Sequence, residues 1–132
     1  MVMKQFSIAI FDLDNTVIAG DCELLWVRYL FNLKMVDSSY LAKIDQFFIE
    51  YADGTIDYPA YVRHLLIPFK GLSPAEAQNL VGPYLDSLRP LIRPALADRL
   101  AYHQRDHDVI LLATSSINIL VEPVARMLGI DN

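Results

Sequence analysis

Two carboxylates one residue apart, Asp12 and Asp14, are the groups of this chain best placed to do chemistry. They follow the apolar run Ser7-Ile8-Ala9-Ile10-Phe11, and polar Asn15 and Thr16 end the pattern. In an extended segment residues two apart point the same way, so both acids are expected to face one cavity while Leu13 faces away. Two carboxylates that close repel each other, which favours a divalent cation or a proton between them. Oxygen-rich sites suit Mg2+, which takes one or two carboxylates and adds substrate phosphate oxygens. By itself D-x-D also reads as a strand end followed by an Asp-Asn turn. The fuller pattern, an apolar strand running into D-x-D-x-T, is far more specific.

A second group of oxygen-bearing side chains ends another short apolar run. Asp108-Val109-Ile110-Leu111-Leu112-Ala113 leads into Thr114-Ser115-Ser116, and a helical pattern follows. Alone, these hydroxyls read as an ordinary helix cap. Beside the paired acids they read as a phosphate site, with Thr114 and Ser115 joined by the free N–H groups that open the next helix.

These groups need elements to hold them. The run from Ser7 to Phe11 is too short for a helix and suits a strand buried on both faces. Gly20 permits a turn, and Asp21 can cap a helix over about Cys22–Leu33 with Leu24, Val27 and Phe31 on one face. Asp37-Ser38 opens a second helix, whose expected apolar stripe is Leu41, Ile44, Phe48 and Tyr51, and Asp53-Gly54 ends it. Asp57 with Pro59 starts a third, which Pro68 stops. Ser73-Pro74-Ala75-Glu76 has the form of a capping box and opens a fourth, which Gly82-Pro83 is expected to break or kink. The aromatic residues of this helical stretch, Trp26, Tyr29, Phe47 and Tyr61 among them, read as bundle core. Arg89-Pro90-Leu91-Ile92-Arg93-Pro94 reads as a linker or hinge. A helix from Pro94 to about Gln104, the strand Val109–Ala113 and a helix over about Ile117–Leu128 complete the chain. The fold class is therefore α/β. A Rossmann-like parallel core, 1–19 and 90–132, carries a helical cap, 20–89, inserted after the first strand and sitting over the strand ends as a lid.

Composition narrows the function. Of 132 residues, 54 % are hydrophobic, enough for a packed core, and the formal net charge is −5. With no Lys/Arg run and no aromatics interleaved with basic residues, neither nucleic acid nor an anionic membrane is the expected partner. Cys22 is the only cysteine, so there is no disulfide and no thiolate metal cluster, and a reducing cytoplasm fits. No apolar run approaches membrane-spanning length, and Met1–Gln5 does not read as a signal peptide.

The D-x-D-x-T strand end and the Thr114 strand end resemble motifs one and two of the haloacid dehalogenase-like hydrolases. The helical insert resembles the C1-type cap of that superfamily's phosphoserine-phosphatase-like branch, as do Gly54-Thr55-Ile56 through Leu72-Ser73-Pro74 and Ile92-Arg93-Pro94. The resemblance implies a nucleophilic Asp12 that forms an aspartyl-phosphate, with Asp14 as general acid and then base. It implies Mg2+ held by Asp12 and Asp14, the latter through its backbone carbonyl, and a phosphoryl group held by Thr114. Asp at position 14 argues against dehalogenase chemistry, which has no alcohol leaving group to protonate. Asp21 matches a substrate-binding acid of the phosphoserine enzymes, one methylene shorter, whereas their carboxylate-binding Arg aligns with Leu65. Arg63 and His64, next to that position, are candidates for a substrate contact and read more readily as exposed helix residues.

Members of the family continue to a Lys and a later pair of acids. The last lysine here is Lys70, and Arg126 reads as a surface residue. The expected function is Mg2+-dependent hydrolysis of a small phosphomonoester, with little activity in the 132-residue chain alone. The alternatives are a non-catalytic phosphate-binding fragment and a phosphotransferase with the same intermediate.

Overall fold

A computed structural model describes residues 7–130. Its elements in chain order are β1 (Ile8–Asp12), α1 (Cys22–Asn32), α2 (Ser38–Asp53), α3 (Tyr58–Leu65), α4 (Pro74–Leu88), α5 (Pro94–Arg105), β2 (Val109–Ala113) and α6 (Asn118–Met127). Single 3-10 turns follow α3 and α4. The chain divides into two compact units. One comprises residues up to Leu24 and from Pro83 onward, and the other Leu25–Gly82. Both seams fall inside helices, α1 and α4.

In the first unit β1 and β2 pair in parallel, in register from Ile8 beside Val109 to Asp12 beside Ala113. Parallel strands cannot be joined by a tight hairpin, and the long connection between them ends in α5. The α/β class read from the sequence is what the chain adopts. The burial of the strands differs from expectation. Ala9, Phe11 and Ile110 are buried, as are Leu100 of α5 and Leu120 and Val124 of α6. The opposite face carries Ile8 and Ile10, 63 % and 67 % exposed, with Val109 and Leu111 also exposed. Alternate residues of a strand point to opposite faces, and among the described residues only one face is covered. Double-sided burial, inferred from an unbroken apolar run, does not hold here.

The segments leading out of and back into this unit are tied together. Ala19 N–H donates to the Leu91 carbonyl and Arg93 N–H to the Val17 carbonyl, with Ile18 and Ile92 forming an antiparallel bridge. The Arg89–Pro94 stretch, read as a linker, is thus partly bonded backbone.

The second unit is helical, and its caps follow the sequence. Asp37 and Asp57 each accept an N–H from the first turn of the helix they open, and Gly54 closes α2 at φ 72°. Ser73 and Glu76 form the reciprocal bonds of a capping box, 2.7 and 3.2 Å. The buried stripes are displaced from the expected ones. In α2 they are Tyr40, Ile44 and Phe47, while Tyr51 is 67 % exposed; in α1 Trp26, Val27 and Leu30 are buried and Phe31 is exposed. Trp26 stacks on Phe69 with ring centroids 5.3 Å apart, and Tyr29 donates to the Leu80 carbonyl. Of the expected break or kink at Gly82-Pro83, the break does not occur: α4 continues through Pro83. Proline removes one N–H from the helical ladder, and the flanking residues Tyr84 and Leu88, both fully buried, hold the helix by packing.

Candidate active site

The site is built where β1 ends, and every residue in it belongs to the first unit. Leu13 N–H donates to the Ala113 carbonyl at 3.2 Å, extending the β1–β2 ladder by one step. The chain then turns sharply. Val17 N–H returns to the Asp12 carbonyl and Ile18 N–H to that of Leu13, with Asn15 in the left-handed region at φ 56°. Asparagine tolerates that conformation better than most side chains, which gives Asn15 a structural reason. Gly20, at φ 153°, accepts the Asn15 N–H and brings the chain to α1. Asp21 caps α1, accepting the Leu24 N–H at 3.0 Å.

Asp12 stands exposed at the carboxyl end of β1, and its Oδ2 accepts the Thr16 hydroxyl at 2.6 Å. Asp14 is half-buried and more heavily engaged. Its Oδ1 accepts the Cys22 N–H at 2.8 Å, and its Oδ2 accepts the hydroxyls of Thr114 at 2.7 Å and Ser116 at 3.0 Å. Thr114 Oγ1 also accepts the Ser116 N–H at 3.0 Å, which closes the turn after β2. The two strand-end loops are therefore joined through one carboxylate. Asp12 and Asp14 have separate partners.

Behind this junction lies a buried layer. The hydroxyl of Tyr84, in α4, donates to the Cys22 carbonyl at 2.6 Å, so the peptide group of residue 22 is restrained near the one that donates to Asp14. Burial pushes the Cys22 thiol well above its ordinary range, and the negative charge of Asp14 adds to the effect. Burial raises the Tyr84 phenol in the same way, with Cys22 next in weight. Both groups are neutral at working pH. Glu23, 7 % exposed, is the buried acid of the layer, and its Oε1 accepts the Ile117 N–H at 2.8 Å.

Sequence reasoning placed Asp12, Asp14 and Thr114 at the strand ends, and the structure brings Asp14 and Thr114 into contact. It placed Ser115 on a phosphate; the serine bonded to Asp14 is Ser116, and Ser115 is exposed. Period-two alternation from Thr114 was the available signal for Ser116. Glu23 and Tyr84 carried no signal, because one looks like an acidic first turn and the other like core. Arg63 is exposed, and His64 stacks on Tyr40 in the second unit. Arg126 is exposed in the last turn of α6.

Among the described residues no three His, Cys, Asp or Glu side chains converge as a metal cage. The oxygen donors present still fit Mg2+, whose shell is commonly one or two protein oxygens completed by water and phosphate. Asp12 offers an exposed carboxylate at the strand end, whereas both oxygens of Asp14 are occupied by donors, leaving its backbone carbonyl as the ligand it would contribute.

The model of the haloacid dehalogenase-like hydrolases matches residues 9–132, nearly the whole chain and both strand ends. The chain belongs to this family. It is 30 % identical over 128 residues to a histidinol-phosphatase of Neisseria meningitidis serogroup C (strain 8013), covering 96 % of this chain and 58 % of that protein. A protein of unknown function from Bordetella pertussis Tohama I has the same fold, with a TM-score of 0.80 at 22 % identity, over 96 % of this chain and 59 % of its own. A phosphoserine phosphohydrolase-like protein from Francisella tularensis subsp. tularensis SCHU S4 is more distant in fold. Its TM-score is 0.59 at 17 % identity, over 96 % of this chain and 55 % of its own. This member of the family thus spans rather more than half the length of the relatives it matches.

Proposed function

We propose that this haloacid dehalogenase-like chain carries the nucleophile, the acid/base and a phosphate-binding hydroxyl of a Mg2+-dependent phosphomonoester hydrolase acting on a small metabolite in the cytoplasm. One observation carries the reading: two neighbouring parallel strands end together, and Asp14 ties their loops through Thr114 and Ser116. Ligands of open parallel sheets bind at that edge.

The family resemblance implies a role for each acid, and the bonds each one makes support that assignment. Asp12, exposed and held by one hydroxyl, is free to approach a phosphorus atom; its oxygen forms the P–O bond as the alcohol oxygen leaves. Asp14 enters the cycle protonated, on the oxygen that Thr114 vacates when it turns to the phosphoryl group, and the departing alkoxide takes that proton. Water then attacks the aspartyl-phosphate, Asp14 accepts the water's proton, and inorganic phosphate and free Asp12 result. Two donors that stay in place, the Cys22 N–H and the Ser116 hydroxyl, hold the Asp14 carboxyl group for both transfers. The Thr114 hydroxyl, which donates to Asp14, turns to a phosphoryl oxygen when one arrives. Asp12 and the Asp14 carbonyl would hold Mg2+, which when bound would supply positive charge against the phosphoryl oxygens.

The substrate class favoured is an amine-bearing phosphate. Asp21 directly precedes Cys22, whose N–H donates to Asp14, and its Oδ1 accepts the Leu24 N–H as the α1 cap. The histidinol-phosphatase and phosphoserine phosphohydrolase-like names of the relatives point the same way. A non-catalytic phosphate-binding role has one observation in its favour: among the described residues no Lys or Arg donates to Asp12 or Asp14. Mg2+-dependent turnover of p-nitrophenyl phosphate, compared between the parent and Asp12→Asn, tests the reading. Hydrolysis should fall by on the order of 1000-fold or more in the variant with the fold kept, since an amide is a poor nucleophile. Equal turnover in matched samples would remove Asp12 from its role. Phosphate binding without turnover would favour the non-catalytic reading, and phosphoryl transfer to an added alcohol would identify a transferase.

A further inference from the structure

We infer that Glu23 is a positioning residue: its buried carboxylate holds the Ile117 N–H and so clamps the Thr114–Ser116 turn against Asp14. The site's chemistry rests on the reading above, but the clamp itself is a matter of structure.

Glu23 lies in the first turn of α1 and is the buried charged residue among those described, and its Oε1 accepts the Ile117 N–H at 2.8 Å. A carboxylate in such a place is costly unless hydrogen bonds replace its water, so it calls for a reason beyond packing. Its partner supplies one. Ile117 is the N-cap of α6, and no side chain of its own segment caps that helix. Helix amino ends leave N–H groups without intrahelical partners and carry partial positive charge. Glu23, reaching across 94 positions of sequence, supplies the missing acceptor and a favourable charge.

The clamp matters because of what lies immediately before Ile117. Thr114 and Ser116 meet Asp14 only through their hydroxyls, at 2.7 and 3.0 Å. When the Thr114 hydroxyl turns to a phosphoryl oxygen, the turn loses a tether to the β1 loop at the moment when its position counts. The Glu23–Ile117 bond is unaffected by that exchange. It runs from the segment just after Cys22, which itself donates to Asp14. Both sides of the Asp14 junction are thus referred to the start of α1.

The test uses Glu23→Met and Glu23→Gln in the full chain. Methionine keeps the volume, removes the acceptor and removes the buried charge, so the fold should survive. Glutamine keeps an acceptor oxygen. Native-state amide exchange is read at Ile117 and Ser116, with the Val109 N–H, bonded to the Ser7 carbonyl, as the reporter of general stability. Relative to Val109, exchange at Ile117 should rise by about tenfold or more in Glu23→Met, and by less than about threefold in Glu23→Gln. In an active form, kcat should fall by about tenfold in Glu23→Met with KM nearly constant, and glutamine should restore most of it. If Ile117 and Val109 shift together in Glu23→Met, the carboxylate only stabilises the fold and the clamp is overturned. If Ile117 loosens while kcat per folded molecule is unchanged, the positioning role is overturned as well. A parent that shows no Asp12-dependent hydrolysis counts against the phosphatase reading, and the exchange data still decide the clamp.

Discussion

The Thr114 hydroxyl donates to Oδ2 of Asp14 at 2.7 Å, joining residues 100 positions apart. The bond makes one hydroxyl serve two partners in turn. In the structure the hydroxyl donates to Asp14, and in the proposed reaction it donates to a phosphoryl oxygen.

Thr114→Val removes that proton at nearly constant volume. Hydrolysis should drop by on the order of 100-fold, as expected for loss of a donor aimed at developing charge. Ser116→Ala leaves Asp14 with two donors, and the fall should be about tenfold or less. Steady-state kinetics on both variants checks the ranking. A larger loss in Ser116→Ala would assign the phosphate contact to Ser116.

Asp21→Asn separates capping from substrate binding. Asparagine caps about as well as aspartate, so thermal stability should change by less than about 0.5 kcal/mol. Removing the charge should raise KM for amine-bearing phosphates such as histidinol phosphate and leave p-nitrophenyl phosphate unaffected. A panel of substrates with and without an amine reads the difference, and no selectivity would leave Asp21 with its cap bond to Leu24 alone.

Alkaline pH should weaken the fold. Burial holds the Cys22 thiol above its ordinary value of 9.0, and the phenol of Tyr84 above 10.0, while Tyr40 is pushed up to about 12. Groups raised in the folded state favour folding fully below their unfolded values, and that contribution is lost as pH climbs past them. The urea midpoint should therefore fall from about pH 9 upward, at no more than about 1.4 kcal/mol per pH unit for each group. Cys22→Ala should remove the earliest part of the decline. The same burial keeps the thiol protonated, so iodoacetamide should not modify native Cys22 at pH 8 and should do so once urea unfolds the chain.

Ile8, Ile10, Val109 and Leu111 form an exposed apolar face on the β1–β2 sheet. Such faces promote association in solution. Ile10→Lys should lower concentration-dependent light scattering without lowering the unfolding midpoint, since the side chain it replaces is already in water. Unchanged scattering would show that this face takes no part in association.

Much was fixed by local chemistry. The strand ending in Asp12, the Asp37, Asp57 and Ser73–Glu76 caps and the Gly54 stop were all readable, because caps, turns and short apolar runs depend on residues within four positions of one another. The D-x-D-x-T and Thr114 strand ends sufficed to name the family for the same reason. Tertiary structure alone decided which faces are buried. Period and hydrophobicity are nearly alike for Leu41–Phe48 and Tyr40–Phe47, and only the packed partners choose between them. It also decided that α4 runs through Pro83, since burial of Tyr84 and Leu88 outweighs one missing N–H. The same holds for the choice of Ser116, Glu23 and Tyr84 as the groups around Asp14. Their bonds span 62 to 102 positions, and no local pattern encodes which distant donor will meet which acceptor once the chain has closed.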